Sequence, residues 1–186
     1  MNKKLDHIEA NFGENWFTSP SVYRLMVSNC SPAGHIVEVG AWKGRSSAFL
    51  VVEAYNHSPF IDVDIVDTWE GSEEHTEAEK NNLFNIFTSN MYLLSGLFTP
   101  RRMTSLEAAA TYADESLDAV YIDAAHDYES VKADIAAWSP KIKPNGILAG
   151  HDYRNGFPGV DRAVGESFPA GTVAFCEYSW VVRKAV

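Results

Sequence analysis

Cysteine, clustered positive charge and long apolar runs are all scarce in this chain of 186 residues. Its two cysteines, Cys30 and Cys176, lie far apart without metal-binding spacing, which argues against a disulfide framework and favours a reducing cytoplasm. No segment approaches the roughly 20 apolar residues of a membrane-spanning helix, and no apolar stretch follows the first residues as in a secretion signal. We therefore expect a soluble, cytoplasmic protein without a membrane partner.

Basic residues are outnumbered, with 15 against 25 acidic ones and a formal net charge of -10. Apart from Arg101-Arg102 and the pair Lys141 and Lys143, they are scattered along the chain. Nucleic-acid binding depends on a basic surface that neutralises phosphates, so a DNA or RNA partner is disfavoured. The chain also lacks internal repeats and low-complexity linkers, and its length suits one domain.

What the chain does contain is an alternation of short apolar runs with helical apolar stripes, which predicts an α/β fold with a mostly parallel sheet. Ser19 as N-cap and Pro20 at the first helical position predict the first helix. A hairpin-like ending predicts one antiparallel strand near the C-terminus. The predicted strands are His35–Val39, Ile61–Val66, a weak one near Phe98–Met103, Leu117–Ile122, Ile147–Ala149, Thr172–Cys176 and Trp180–Arg183. The later predicted helices are Ser46–Tyr55, Glu73–Leu94, Leu106–Tyr112, Tyr128–Trp138 and Val160–Phe168.

Two of the predicted strands end in histidine and aspartate, in the segments Val120–His126 and Gly146–Asp152. Ligands bind at the carboxyl ends of the strands in open α/β sheets, so these side chains are placed at the functional edge. The candidates for chemistry are Asp123, His126, His151 and Asp152. The alternative is structural, because aspartates at strand ends often only cap the next turn. We interpret Asp127 in that way, and His7, His35, His57 and His75 as surface or loop residues.

The first predicted strand is followed by the turn Glu38-Val-Gly-Ala-Trp-Lys-Gly-Arg-Ser-Ser47. A glycine there permits a sharp turn and close approach of a ligand, and the next helix offers free N–H groups to an anion. The glycine spacing matches neither the dinucleotide fingerprint nor a phosphate-binding loop. Tight strand–helix packing could explain the turn by itself. Asp67 at the end of the second strand, where a carboxylate meets ribose hydroxyls, favours an adenosyl ligand.

These motifs, followed by Tyr121-Ile-Asp-Ala-Ala-His-Asp-Tyr128, resemble the class I S-adenosylmethionine-dependent methyltransferases. The stretch from Tyr121 through Lys143-Pro-Asn-Gly-Ile-Leu-Ala-Gly-His-Asp-Tyr153 is similar to the subgroup of macrocin-type sugar O-methyltransferases and cephalosporin-hydroxylase-like proteins. The resemblance implies a Rossmann-like, doubly wound sheet of seven strands. It makes residues 35–186 the methyltransferase domain and residues 1–34 an N-terminal helical extension within a single domain overall.

The resemblance also implies a binding site for S-adenosylmethionine. Trp42 stands where many methyltransferases have a glycine, and Asn145 replaces the first glycine of a common Pro-Gly-Gly turn. Neither change removes a group that the cofactor needs. The implied cofactor residues are Glu38, Gly40, Ala41, Trp42 and Ser46 around the methionine part, Asp67 at the ribose, and Thr68, Trp69, Ser105 and Leu106 beside the adenine, with Asp123 also at the cofactor.

A hydroxyl acceptor needs a base or a metal to remove its proton before methyl transfer. In the resembled sugar enzymes, the positions of Asp123 and Asp152 bind magnesium and that of His126 is the proposed base. Those relatives carry a carboxylate where this chain has His151. If His151 is a ligand, manganese or another transition ion is favoured over magnesium; if it points away, magnesium on two aspartates would be weakly held.

We therefore predict metal-assisted O-methylation of a small-molecule hydroxyl, of the sugar or natural-product type. Two alternatives stay open: a metal-independent methyltransferase acting on nitrogen or a carboxylate, and a non-catalytic binder of an adenosyl ligand. Residues 69–97 could form a lid or a dimer surface, so a homodimer is left open, although a core helix explains the same stripe. The loop 153–159, with Tyr153, Arg154 and Phe157, could contact the acceptor. Trp16 and Phe17 could close the mouth of the site.

Overall fold

A computed structural model describes residues 4–10, 12–71 and 80–185 of the chain. Its centre is a seven-stranded sheet with the strand order β3-β2-β1-β4-β5-β7-β6. Strands β1 to β5 run parallel, and β7 lies antiparallel between β5 and β6. The doubly wound sheet with one antiparallel strand is thus confirmed. The strands are β1 His35–Val39, β2 Asp62–Asp67, β3 Thr99–Arg102, β4 Leu117–Ile122, β5 Ile142–Gly150, β6 Val173–Cys176 and β7 Ser179–Arg183.

Helices cover both faces of the sheet, and each face has its own apolar core. On one face, Met26, Leu50, Ile65 and Phe87 are fully buried. On the other face, Trp138 is among the largest fully buried side chains. No helix among the described residues is long and apolar enough to cross a membrane. The helices are α1 Pro20–Asn29, α2 Arg45–His57, α3 Leu83–Asn90, α4 Ser105–Ala109, α5 Tyr128–Trp138 and α6 Pro158–Ser167, with 3-10 turns at Tyr92–Leu94 and Ser139–Lys141.

Three predicted elements differ from the structure. The stretch of helical character expected over Glu73–Leu94 is divided, in its described part, into the short helix α3 and a separate 3-10 turn; residues 72–79 lie outside the described residues. Helix α4 ends at Ala109 and not at Tyr112, although a capping box between Thr104 and Glu107 starts it. Strand β5 begins at Ile142, well before Ile147, because a register irregularity in its pairing with β4 admits the polar residues in between.

Ser19 precedes α1 as predicted, but its side chain does not cap the helix. Its hydroxyl donates to the main-chain oxygen of Glu177 at 3.0 Å and lies 2.7 Å from Oγ of Ser179. The buried hydroxyl therefore ties the start of α1 to strand β7. Asp127, in contrast, caps α5 as predicted, because its carboxylate accepts from the N–H of Ser130 at 3.0 Å.

Candidate active site

The four predicted histidine and aspartate residues lie together where β4 and β5 end. The N–H of Asp123 donates to the carbonyl of Val39 at 2.7 Å, which extends the pairing of β4 with β1 by one residue. The N–H of His151 donates to the carbonyl of Ile122 at 3.0 Å in the same way. The register of three parallel strands, set by their apolar residues, thus delivers these polar side chains to one edge.

Asp152 is the centre of this His/Asp cluster. Its Oδ2 lies 2.9 Å from Nε2 of His126 and 3.2 Å from Nδ1 of His151. The Nδ1 of His151 is also 3.7 Å from Oδ1 of Asp123. Asp123, His126 and Asp152 can each present one ligand atom so that all three atoms lie within 4.8 Å of one another. That spacing suits a single bound cation.

The backbone around Asp152 is built to hold this arrangement. Asp152 has φ of 57°, in the left-handed region that L-residues rarely adopt, and its Oδ1 accepts from Nδ2 of Asn155 at 2.8 Å. The ring of Phe157 packs against the imidazole of His126 with 4.4 Å between centroids. The predicted acceptor loop 153–159 therefore contacts the cluster through Asn155 and Phe157. A strained backbone with such supports is typical of a functional site.

Charge in the cluster is distributed unevenly. Burial disfavours ionisation of Asp152, but hydrogen bonds from His126, His151 and Asn155 outweigh it and hold the pKa of that carboxyl below its usual range. Burial also acts against a charged His151, yet its hydrogen bond to Asp152 and the nearby Asp123 raise the pKa of the imidazole. For Asp123, desolvation by the surrounding protein raises the pKa, and the charge of His151 offsets this only in part.

The glycine turn lies directly beside the cluster. Gly40 has φ of 91°, and a Cβ there would lie 1.8 Å from the main-chain oxygen of Asp123. Gly44, with φ of 92°, begins α2 without a capping side chain, so the first-turn N–H groups of the helix have no intrahelical partner. Trp42, at the position of the missing glycine, adopts a left-handed φ of 49°. The turn thus keeps the shape that glycine would favour while presenting an indole.

Asp67 fastens this turn to the end of β2. Its Oδ2 accepts from the N–H groups of Ala41 at 2.7 Å and Trp42 at 3.0 Å, and its Oδ1 accepts from the N–H of Trp69 at 2.7 Å. These bonds help hold Trp42 in its left-handed conformation. A carboxylate can accept about four hydrogen bonds, and these three N–H groups leave about one acceptor position of Asp67 open. Ribose binding by Asp67 stays a prediction.

Glu38 is completely buried under the turn. Its carboxylate accepts from the hydroxyl of Tyr23 at 2.6 Å and from that of Ser47. Burial raises the pKa of Glu38 to about 7, although these hydrogen bonds and one from Ser46 favour the charged form. Glu38 therefore connects α1, β1 and α2 below the predicted methionine site.

The residues predicted beside the adenine differ in how much they are exposed. The ring of Trp69 is buried between Phe84 and Phe87, and its indole N–H donates to the carbonyl of Trp42 at 3.1 Å. Trp69 thus supports the turn from within the core. Leu106, in contrast, is about half exposed. The hydroxyl of Ser105 accepts from the indole of Trp138 on α5, and that of Thr68 accepts from the nearby N–H of Glu70.

Sequence reasoning missed two contacts from the N-terminal segment. The hydroxyl of Thr18 lies 2.8 Å from Nε2 of His151, and that of Tyr23 reaches Glu38 as described. Thr18 is 133 residues away from His151, and no motif connects the two. The interpretation of His35 as a surface or loop residue is wrong. His35 is the first residue of β1, and its Nε2 lies 3.0 Å from Oδ2 of the buried Asp64 on β2.

Comparisons with known proteins identify the family of the chain. A family model described as a methyltransferase domain matches residues 37–153. A curated relative, an uncharacterized protein of Sinorhizobium fredii, is 31% identical over 87 residues, which are 47% of this chain. The chain spans only about 10% of that relative's length.

Solved structures share the fold at low sequence identity. The O-methyltransferase NovP is 15% identical with a TM-score of 0.70, over 91% of this chain and 80% of its own. An O-methyltransferase from Bacillus cereus in complex with SAH is 18% identical, with a TM-score of 0.62, over 94% and 84%. CalS11, a TDP-rhamnose 3'-O-methyltransferase, is 18% identical, with a TM-score of 0.58, over 89% and 76%.

The strand order, the glycine turn and the acid after β2 define a class I S-adenosylmethionine-dependent methyltransferase. With well over half of its length matched by the family model, the chain belongs to the methyltransferase domain family. S-adenosylmethionine is accordingly its cofactor.

Proposed function

We propose that this enzyme methylates a hydroxyl oxygen of a small molecule, of the sugar or natural-product type, with the help of a divalent cation. The observation that carries the proposal is the convergence of Asp123, His126 and Asp152, whose ligand-type atoms lie within 4.8 Å beside the cofactor turn. A transfer to an already nucleophilic nitrogen would not need such a group. The structural neighbours NovP and CalS11 are both O-methyltransferases, which supports the same acceptor chemistry.

The residues present fit a divalent cation. Two carboxylates at one sheet edge supply the oxygen ligands that magnesium and manganese prefer, and the two histidines nearby suit manganese better than magnesium. Asp123 and Asp152 would hold the ion, and the sequence leaves open whether His151 is a third ligand. A cation bound there would lower the pKa of an acceptor hydroxyl.

His126 is placed to receive the acceptor proton. Its Nε2 lies 2.9 Å from Asp152, so the carboxylate orients the imidazole, and the side chain is still 24% exposed. In the reaction, the acceptor oxygen attacks the methyl carbon in line with the sulfur, the carbon–sulfur bond breaks, and its electron pair stays on the sulfur. The hydroxyl proton passes to the imidazole. The products are a neutral thioether from the sulfonium, a methyl ether from the acceptor, and a protonated imidazole that carries the positive charge.

The cofactor would lie against the glycine turn, with its methionine part at Gly40, Ala41, Trp42 and Ser46 above the buried Glu38. Its ribose would approach Asp67, and its adenine the exposed side of α4 around Leu106. Because Gly40 lies against the main chain of Asp123, a cofactor held in this way would have its methyl group on the side of the His/Asp cluster. A cytoplasmic location and a homodimer stay proposals from the sequence.

The test measures transfer of labelled methyl from S-adenosylmethionine to a panel of sugars, glycosides, amines and carboxylic acids. We expect products only from hydroxyl acceptors, activity that falls after chelation and returns with Mn²⁺ or Mg²⁺, and loss of activity in Asp152→Asn. His126→Ala should lose methyl transfer and keep cation binding. Asp114→Asn is the matched control, because Asp114 is an exposed carboxylate that pairs with Lys141 and not with the cluster. Transfer to amines alone, or hydroxyl methylation indifferent to exhaustive chelation, would contradict the proposal.

A further inference from the structure

Residues 12–19, which we name the N-terminal strap, extend from the glycine turn to the His/Asp cluster. The main-chain oxygen of Gly13 accepts from Arg45 at 3.1 Å, and the ring of Trp16 lies 5.9 Å from that of Trp42. At its other end, Thr18 contacts His151 and Ser19 contacts Ser179. The strap therefore touches both the predicted cofactor residues and the predicted metal residues.

The contact between Thr18 and His151 involves the ring nitrogen that faces away from the carboxylates. Nε2 lies 2.8 Å from the Thr18 hydroxyl, whereas Nδ1 lies 3.2 Å from Asp152 and 3.7 Å from Asp123. The side chain of His151 is 11% exposed, whereas Thr18 lies exposed at the surface. An ionised carboxylate only accepts hydrogen bonds, so a ring hydrogen on Nδ1 would be directed to Asp152. A hydroxyl can donate or accept, and it satisfies Nε2 in either case.

With Nδ1–H directed at Asp152 and Nε2 directed at Thr18, neither nitrogen has a lone pair facing the space between the carboxylates. We propose that Thr18 is a positioning residue, which fixes the His151 ring so that His151 donates a hydrogen bond to Asp152 and is not a ligand of the cation. The inference rests on the proposed function, because it assigns His151 its part in that cluster. His151 would orient and neutralise the carboxylates, and the protein ligands would be Asp123 and Asp152.

This assignment gives the strap a chemical role. Outer partners that orient metal ligands typically change metal affinity by about 10- to 100-fold when they are removed. A carboxylate held by His151 on one side and Asn155 on the other keeps its remaining acceptor positions in a fixed direction. Without the Thr18 hydroxyl, the imidazole could rotate and present a different atom to Asp152. The cluster would then lose its geometry without losing any of its charges.

The experiment compares Thr18→Val, which keeps the shape and removes the hydroxyl, with Thr18→Ser, which restores it. Ser21→Ala is the control, since Ser21 lies just after the strap and its hydroxyl donates to Glu177, away from His151. The first readout is the pair of imidazole ¹⁵N signals of His151, assigned with His151→Asn and recorded with and without Mg²⁺. We expect wild type, Thr18→Ser and Ser21→Ala to show one fixed ring with a hydrogen on Nδ1, unchanged in that respect by Mg²⁺. Thr18→Val should show shifted or broadened signals.

The second readout is Mn²⁺ affinity, which should fall about 10-fold in Thr18→Val and recover in Thr18→Ser. Unchanged His151 signals in Thr18→Val would overturn the inference, as would loss of the Nδ1 hydrogen when Mg²⁺ binds. If no variant, wild type included, binds Mn²⁺, the metal part of the proposed function fails. The imidazole signals would still decide whether Thr18 positions His151, so the two failures are distinguishable.

Discussion

At the scale of single residues, Gly40 is the point where the cofactor turn and the His/Asp cluster touch. We predict that Gly40→Ala prevents folding or lowers the free energy of unfolding by well over 3 kcal/mol, because the new Cβ would overlap the main-chain oxygen of Asp123 at 1.8 Å. Gly96→Ala is the control, since Gly96 has a similar φ of 84° and no atom within 4 Å of its Cβ. Gly96→Ala should lower the free energy of unfolding only by the strain of a left-handed alanine, about 1–2 kcal/mol. Urea denaturation measures both, and equal losses would contradict the steric argument.

Glu38 makes a second residue-scale prediction, about pH. Its folded pKa of about 7 exceeds the ordinary value of 4.5, so between these pH values the unfolded chain releases a proton that the folded protein retains. The free energy of unfolding of the cofactor-free protein should therefore fall as pH rises from 4.5 through 7. Glu38→Gln carries no such proton, so its free energy of unfolding should fall less between pH 5 and pH 8. The difference between the two falls should be up to about 3 kcal/mol. Parallel pH profiles of the two proteins would refute the assignment.

A residue's role could be predicted from the sequence where that role depends on its neighbours along the chain. Asp123, His126, His151 and Asp152 could be found because each follows an apolar strand. The burial of Trp69 could not, because it depends on Phe84 and Phe87 from a helix whose position the sequence does not determine. The same holds for the pairing of His35 with the buried Asp64, because the two residues lie on different strands.

At the scale of elements, α1 belongs to the same apolar core as the sheet. Met26 is fully buried and Leu25 is 40% exposed, although they are neighbours in the sequence. We predict that Met26→Ala lowers the free energy of unfolding by about 2–5 kcal/mol, through lost burial and the cavity left behind. Leu25→Ala should change it by less than about 1 kcal/mol. Equal small effects in urea denaturation would show that α1 is not part of the cooperative core.

Most elements could be predicted because their patterns are local. Strand β4 and helix α5 have the predicted bounds, since an apolar run and an Asp127 cap define them. The region of α3 could not be predicted in detail, because its apolar residues suit one long helix as well as separate short ones. Strand β5 was expected to be shorter, since Lys143, Pro144 and Asn145 look like a turn, yet the pairing with β4 continues beyond them.

At the scale of the whole molecule, the candidate site combines three parts that are far apart in the sequence. Parallel strands bring the glycine turn and the His/Asp cluster to one edge, and this could be predicted from strand endings alone. The N-terminal strap could not, because its contacts with Trp42 and His151 arise only when α1 packs against α2 and β5.

The most direct measurement is a titration of Mn²⁺, followed by the electron spin resonance of the free ion, into protein saturated with S-adenosylhomocysteine. Wild type and Asp114→Asn should each bind one ion per chain. Asp152→Asn should bind at least about 10-fold more weakly, because a neutral amide replaces a charged ligand and not merely an outer partner. Equal Mn²⁺ binding in all three proteins, or none in wild type, would contradict a cation site at Asp123 and Asp152.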